Sequence, residues 1–464
     1  GRDFHFPEYQ SDPSGLNGEA RGLDDSTLAT FQGRAWYRDL TLQWMWHQRE
    51  KTLPHAEYET LFGDPRNQFV DKRGFVEARF EPKLSEQFQS LTRAHANLYT
   101  FESGSPYAPA DGGLAKEKYV GQWAGLEQRF VIQPSKPLRF TLGGEAQRHF
   151  RASLRGEDDA GVFLPDDKNP FWVMSAYGVG DVEVSQALAL HAGVRYDYFK
   201  WEFTSLPETS KGSLNPRAAV VAKPYAGGVT KLMGGSAFRA PTVYELFYQS
   251  SVQRPSPSLE PETVYSGELE HTHSITRAVH ATGAVYANYV DNLIVGRGSG
   301  TAADPLYLAN SSAPVLVLGG EVELRRDWRE GWMVAAQYSL SRARYVKNDA
   351  DLRKVPNSPT HLASVKGAVP IIGRSLSVMN RVTLDGSRYD RLETTTDPAQ
   401  GKTDAGVVWD VVFSGDMMGS KVRYAVGAYN VADWHYSAPV SGEFRMTTIP
   451  QPGRTFLASM NMEL

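Results

Sequence analysis

Strict two-residue alternation, repeated in segment after segment, is the feature that most limits what this chain can fold into. Side chains of an extended strand point to opposite faces in turn, so such alternation builds sheets with one apolar and one polar face. In Leu138–Ala146, Arg139, Thr141 and Glu145 share one face and the apolar and small residues take the other. In Leu188–Tyr198, Leu188, Leu190, Ala192, Val194, Tyr196 and Tyr198 oppose His191, Arg195 and Asp197. Ala29–Tyr37 and Leu40–Trp46 read as two strands joined at Tyr37-Arg38-Asp39, with Leu40, Leu42, Trp44 and Trp46 on one face. The last strand alternates Phe456, Ala458, Met460, Met462 and Leu464 with Leu457, Ser459, Asn461 and Glu463.

The connections alternate as well. Pro82–Glu86, Pro134–Pro137, Ala226–Gly228, Ser274–Arg277, Arg329–Gly331 and Met418–Lys421 read as short turns. Between them lie longer polar, Gly- and Pro-rich stretches at 50–70, 103–117, 152–169, 241–262, 343–357 and 432–453. Short turns at one end and long loops at the other fit an outer-membrane barrel better than a soluble sandwich, which keeps short turns at both ends. Aromatic pairs sit near strand ends (Trp36 and Tyr37, Trp44 and Trp46, Tyr196 and Tyr198, Trp328 and Trp332), where interfacial girdles or core packing would use them. The expected architecture is one large antiparallel transmembrane β-barrel over residues 1–464. About 19 strands of about 9–14 residues are legible, of a probable 22 or so, because single-chain bacterial barrels have even strand numbers. Gly1–Gln10 reads as the tail of a strand entering a long loop.

Composition excludes several alternatives. No run of about 18 apolar residues occurs, so no helix is expected to span a membrane. The mean hydropathy of −0.41 looks soluble, yet in a barrel wall lipid-facing and lumen-facing residues cancel in the average. A net charge of −4 over 464 residues gives no basic footprint for nucleic acid. With no cysteine there is no disulfide, thiolate metal ligand or thiol nucleophile. Gly1-Arg2-Asp3-Phe4-His5-Phe6 has neither the basic nor the apolar region of a secretory signal.

The most specific stretch is Gly235-Ser236-Ala237-Phe238-Arg239-Ala240-Pro241-Thr242-Val243-Tyr244-Glu245-Leu246-Phe247-Tyr248. It is followed by Pro257-Ser258-Leu259-Glu260-Pro261-Glu262. The pair resembles the signature of TonB-dependent outer-membrane receptors. Ala192–Asp197, Asn357–His361, Asn430–Asp433 and Gly453–Phe456 resemble weaker motifs of that family, in the same order. Pro257 stands where Asn is common, and Leu464 where the family usually ends in Phe. The resemblance implies the barrel part of such a receptor, with the plug domain, the energy-coupling box and about three strands missing. It also implies import of a large, scarce nutrient, most readily a ferric siderophore or similar metal chelate, with energy from the TonB complex. Cobalamin, haem or glycan import and a passive pore remain open, as do a barrel enzyme and a soluble multidomain β-protein.

No covalent chemistry and no cofactor is expected. Aromatic and arginine side chains supply contact area and charge at recognition surfaces. Tyr244, Phe247, Tyr248 and Arg254 in one long loop, and Trp434, His435 and Tyr436 in the last, are therefore the candidate ligand contacts. Phe238, Arg239, Pro241, Glu245, Glu260, Pro261 and Glu262 match a signature shared by receptors with different ligands, which assigns them a structural role. His271-Thr272-His273 places two imidazoles on one strand face, but beside a short turn and two ligands short of a closed metal site. Glu157-Asp158-Asp159 and Asp166-Asp167 read as a solvated loop without calcium-loop spacing. No nucleophile elbow or phosphate-binding loop occurs.

Overall fold

In the computed structural model the described residues are 3–203, 208–298, 300, 303–328, 331–346, 355–390, 401–417, 421–441 and 443–462. Among them, nineteen long strands follow one another as antiparallel neighbours in a single sheet that closes into a barrel, from Ser26–Tyr37 to Thr455–Met462, with the short strands Lys83–Ser85 and Gly161–Leu164 added to it. The register shows why alternation sets the faces. Gln43 lies opposite Glu77, Arg93 opposite Glu127, and Glu127 opposite Glu145, so the charged positions run as a row across the sheet. The intervening positions form an apolar row: Leu42, Ala78 and Ala94 on neighbouring strands, and Leu214 beside Tyr196 further round.

The polar row faces the lumen and is knitted by ion pairs. Glu77 accepts from Arg79 and Arg93, each at 2.6 Å, and Arg195 donates to Asp197 at 2.8 Å. The apolar row faces outward and stays open: Leu126 is 56% exposed, Leu232 57% and Val285 58%. In water that surface would be a liability; against hydrocarbon it is the matching solvent. Leu40, Leu42, Trp44 and Trp46 share this outward face, as alternation requires. Close strand approach is used at Gly143 and Gly319, where an added Cβ would lie 2.3 Å from the rings of Tyr177 and Tyr286. Among the described residues no helix is long and apolar enough to cross a membrane.

Strand ends differ from the sequence reading where charge continues the alternation. Phe88–Pro106, Leu114–Ser135 and Leu138–Asp158 reach well into stretches that read as loops at 103–117 and 152–169. Their outer halves are polar, yet the backbone ladder persists, for example Glu102 opposite Lys118 and Lys118 opposite Arg155. Residues 3–10 are not the tail of a barrel strand. Phe4–His5 pairs with Glu19–Ala20, a 3-10 turn covers Pro7–Tyr9, and Phe6 and Tyr9 are buried with Ala20, Ala56, Phe62 and Met446. Parts of the expected turns Arg329–Gly331 and Met418–Lys421, of the 343–357 loop and of the last strand (Glu463 and Leu464) lie outside the described residues.

Ser26–Tyr37 pairs with Leu40–Thr52, Thr455–Met462 pairs with Val422–Tyr429, and the two are neighbours in the closed order of the sheet. Both run from the long-loop end to the short-turn end, so at this one junction the neighbouring strands point the same way. At the long-loop end Phe6, Tyr9, Phe62 and Met446 pack into one cluster.

Candidate functional site

The long loop at 240–261 is held by its own sequence chemistry. Thr242 caps the short helix Val243–Phe247: its hydroxyl accepts from the Glu245 N–H at 3.1 Å, and Glu245 accepts from the Thr242 N–H at 2.7 Å. Arg239, the last residue of its strand, donates to both Glu245 oxygens at 2.9 and 3.0 Å, and to Glu262 on the next strand at 2.6 Å. The other Glu262 oxygen accepts from the Ile294 N–H at 2.8 Å. One guanidinium thus ties the start of the loop to its end. Burial opposes the charged form of Glu245, but Arg239 and the Thr242 N–H outweigh it and hold the carboxyl below its ordinary range. Pro241 is buried beside the cap, and Pro261 lies half-buried just before Glu262. Phe238 packs edge-on to Phe199 at 5.6 Å. Glu260 pairs with Lys211, and its backbone exchanges hydrogen bonds with the Asn310 side chain at 2.8 and 2.9 Å.

The helix carries two tyrosines inward over the lumen. Tyr244 and Tyr248 stack at 4.6 Å, and the Tyr248 hydroxyl donates to Glu117 at 2.6 Å, across 131 residues of sequence. Tyr119 donates to the other oxygen of Glu117 and lies 6.0 Å from the Tyr244 ring. From a second loop, Tyr58 accepts from the Tyr244 hydroxyl. Tyr58 (φ 53°) and Glu59 (φ 61°) are consecutive left-handed residues. For non-glycine residues this costs on the order of 1–3 kcal/mol each and clusters at functional sites. About half of Tyr58 stays exposed, yet burial and the nearby Glu443 push its hydroxyl up to about 12. Burial and Glu117 raise Tyr107 to about 12 and also raise Tyr248. For Tyr244, burial and then Tyr58 act in the same direction. At neutral pH these hydroxyls are therefore protonated and uncharged.

Below them the lumen wall adds an aromatic shelf. Trp123, His149 and Phe171, on three adjacent strands, stack at 5.4 and 3.9 Å. Phe199, Trp201 and Phe203 continue it, and Phe247 meets Phe203 edge-on at 4.6 Å. Arg254 lies elsewhere on the loop: its guanidinium sits over Tyr307 at 3.9 Å.

Trp434, His435 and Tyr436 are not brought to this group. The Trp434 N–H and C=O are both bonded by the Asn430 side chain, at 2.8 and 2.9 Å, and Tyr436 lies against Gly406. Trp434 and His435 are exposed. The part of the last loop that does reach the mouth is Glu443–Met446. The Glu443 carbonyl accepts from the Tyr58 N–H at 2.7 Å, and Arg445 donates to Glu59 at 2.8 Å. Sequence reasoning also missed Glu117, Tyr119, Tyr58, Tyr107 and the Trp123–His149–Phe171 stack. Glu117 falls in the 103–117 stretch that read as loop, and nothing local ties it to a residue 131 positions away.

His271 and His273 face outward, not into the lumen. His271 is bonded to the Tyr225 and Thr230 hydroxyls, each at 2.8 Å, and the pair sits beside Val322 and Leu324. Among the described residues no three His, Asp or Glu side chains are grouped as metal ligands. Of the acidic loop candidates, Glu157 pairs with Arg155 and Asp166 with Arg151, each at 2.6 Å. The Asp158 side chain accepts from the N–H groups of Ala160 and Gly161, at 2.8 and 3.0 Å.

A family model described as TonB dependent receptor-like, beta-barrel, matches residues 8–431. No curated protein matches the sequence. Solved structures share the fold. The copper transporter OprC has a TM-score of 0.72 at 14% identity, over 95% of this chain and 79% of its own. The ferric-catecholate import receptor Fiu from E. coli K12 has a TM-score of 0.72 at 12% identity, over 96% of this chain and 75% of its own. The unliganded ferric citrate transporter FecA has a TM-score of 0.72 at 13% identity, over 95% and 70%.

Proposed function

We propose, from the premise that this chain belongs to the TonB-dependent receptor family through its β-barrel, that it imports a ferric siderophore through the bacterial outer membrane with energy delivered by the TonB complex. Members of the family are outer-membrane transporters, not enzymes, so its work is recognition and gated passage. The observation that carries the ligand assignment is the mouth cluster. Tyr58, Tyr107, Tyr244 and Tyr248 are uncharged hydroxyls gathered near Glu117, which accepts from Tyr248 and Tyr119, above a shelf of stacked rings. Flat, oxygen-rich chelates offer ring faces for stacking and acceptor oxygens for such donors. The receptors of similar fold include those for ferric catecholate, ferric citrate and pyoverdine, which supports the same class of cargo.

In this reading Tyr244, Phe247 and Tyr248 contact the ligand from the 240–261 loop, with Arg254 at its rim. Trp434, His435 and Tyr436 form a secondary, outer contact. The test is radiolabelled iron uptake by the full-length receptor in cells lacking other iron receptors, with ferric siderophores, haem and cobalamin offered separately. Deleting residues 244–256 is expected to abolish ferric-siderophore uptake while the barrel still folds. Unchanged uptake after that deletion, or uptake of haem or cobalamin alone, overturns the proposal.

A further inference from the structure

The fixed charge around the mouth tyrosines is negative. Burial is the largest cause that raises Tyr58, Tyr107, Tyr244 and Tyr248, and carboxylates push the same way: Glu443, Glu117 and Glu57 for Tyr58, Glu117 and Glu57 for Tyr107, Glu117 and Glu443 for Tyr244, and Glu117 for Tyr248. Glu117 stands among them, accepting from Tyr248 at 2.6 Å and from Tyr119 on its other oxygen. Both of these partners are uncharged. Among the described residues neither Glu117 nor Glu443 takes part in an ion pair, and Glu57 meets the His55 imidazole at 2.7 Å.

The basic side chains of the same loops are committed elsewhere. Arg66 forks onto Asp64 at 2.6 and 3.0 Å. Arg239 holds Glu245 and Glu262, the Arg254 guanidinium lies over Tyr307, and Arg445 holds Glu59. Lys116 and Lys118 flank Glu117 in sequence, but strand alternation turns them to the opposite face, where Lys118 pairs with Glu102 at 2.7 Å. A ligand that enters between the tyrosines therefore meets carboxylates that no arginine or lysine of these loops neutralises. A partly buried carboxylate is poorly screened by salt, so bringing like charge against it costs affinity.

We propose that the mouth selects ferric chelates by charge: it takes neutral or cationic ones, of the tris-hydroxamate class, in preference to trianionic tris-catecholates, and Glu117 and Glu443 set the discrimination. The inference rests on the ferric-siderophore reading above and narrows it. Three hydroxamates cancel the charge of Fe(III), and a free ammonium on the chelate makes it positive; three catecholates leave it trianionic. The donor oxygens of an uncharged chelate still accept from tyrosine hydroxyls, and an ammonium can donate to Glu117. An unpaired carboxylate placed against the wrong partner gives specificity by repulsion.

Calorimetry on the detergent-purified full-length receptor measures a neutral ferric tris-hydroxamate, a ferric tris-hydroxamate bearing a free ammonium, and a ferric tris-catecholate. Both hydroxamates are expected to bind at least about tenfold more tightly than the tris-catecholate. Raising the salt concentration should strengthen tris-catecholate binding and leave the neutral chelate unmoved. Replacing both carboxylates (Glu117→Gln with Glu443→Gln) should cut the ratio of hydroxamate to catecholate affinity at least about threefold. The ratio is the readout because loss of the Tyr248 and Tyr119 bonds to Glu117 falls on both kinds of chelate, and heat-modifiable electrophoretic mobility reports that the variant folds. Equal or tighter binding of the tris-catecholate, or an unchanged ratio in the double variant, overturns the proposal. Binding of haem or cobalamin with no ferric chelate bound would instead overturn the function on which it rests, and this inference with it.

Discussion

The loops at 240–261 and 430–454 are both long, both aromatic and both at the long-loop end of the barrel, yet they are fixed in different ways. The first is anchored by charge. Arg239 clamps Glu245 and Glu262, and a capping box sets the helix that aims Tyr244 and Tyr248 over the lumen. The second is anchored by backbone capture at its base and by apolar packing further out. Asn430 holds Trp434, Asp433 accepts from the Arg454 N–H at 2.6 Å, and Met446 enters the cluster with Phe6 and Tyr9. Charge anchoring at both ends positions a loop precisely enough to present donors to one carboxylate. Capture at the base leaves the adjacent aromatics exposed. Aromatic content alone therefore does not identify a binding loop; what its ends are tied to does.

The largest break in that contrast is expected from Arg239→Ala. It leaves two partly buried carboxylates without their partner, a loss of about 1–3 kcal/mol for each charged bond removed. Iron uptake should fall more than about tenfold, with the loop open to protease and the barrel intact. Arg239→Lys should recover only part of this, because an ammonium cannot fork between Glu245 and Glu262. An Arg239→Ala chain with normal uptake and a protected loop would show the clamp to be idle.

Next in size is the contact that closes the lid on the wall. Tyr248→Phe removes the hydroxyl that donates to Glu117, and Glu117→Gln removes the charge that two tyrosines share. Each is expected to weaken ligand binding about five- to tenfold, as for one charge-assisted hydrogen bond. The measurement is calorimetry on the detergent-purified full-length receptor. Additive losses in the double variant would mean that the two groups do not form one site.

Acid should test the clamp more gently. A carboxyl whose folded pKa is depressed adds stability above its unfolded pKa, and that stability is lost as pH falls through the folded value. Glu245 is such a group, so loop protection should persist down to about pH 5 and fail only below the ordinary carboxylate range. Protease protection of the loop, followed against pH, reads this directly; release near neutral pH contradicts it.

The smallest effects are expected in the other loop. Trp434→Ala and His435→Ala should each change ligand binding less than about twofold, as substitutions of exposed side chains do when no fixed partner is lost. A loss equal to that of Tyr248→Phe would move the primary contact surface to 430–454.

Much of the architecture was legible because a strand's faces are a local property. Leu40, Leu42, Trp44 and Trp46 had to share a side, and the turn lengths had to mark the two ends of the wall. The structural role read for Arg239, Glu245 and Glu262 rested on a resemblance, and the distances now give it a mechanism: a salt-bridged loop base. What misled was polarity. Lys116, Arg155 and Glu157 read as loop, whereas paired charges on neighbouring strands let the ladder run on beyond the apolar band.

The sequence by itself determined the sheet, its two faces, its asymmetric connections and the family signature, because each depends on spacing along the chain. Only the tertiary structure decided which aromatics meet. Tyr58, Tyr119, Tyr248 and Glu117 come from three separate stretches, and it also took the curled sheet to leave two end strands running the same way. The physical reason is range. Face and turn are set by neighbours a few residues apart, whereas a binding mouth is set by contacts whose partners the local pattern does not encode.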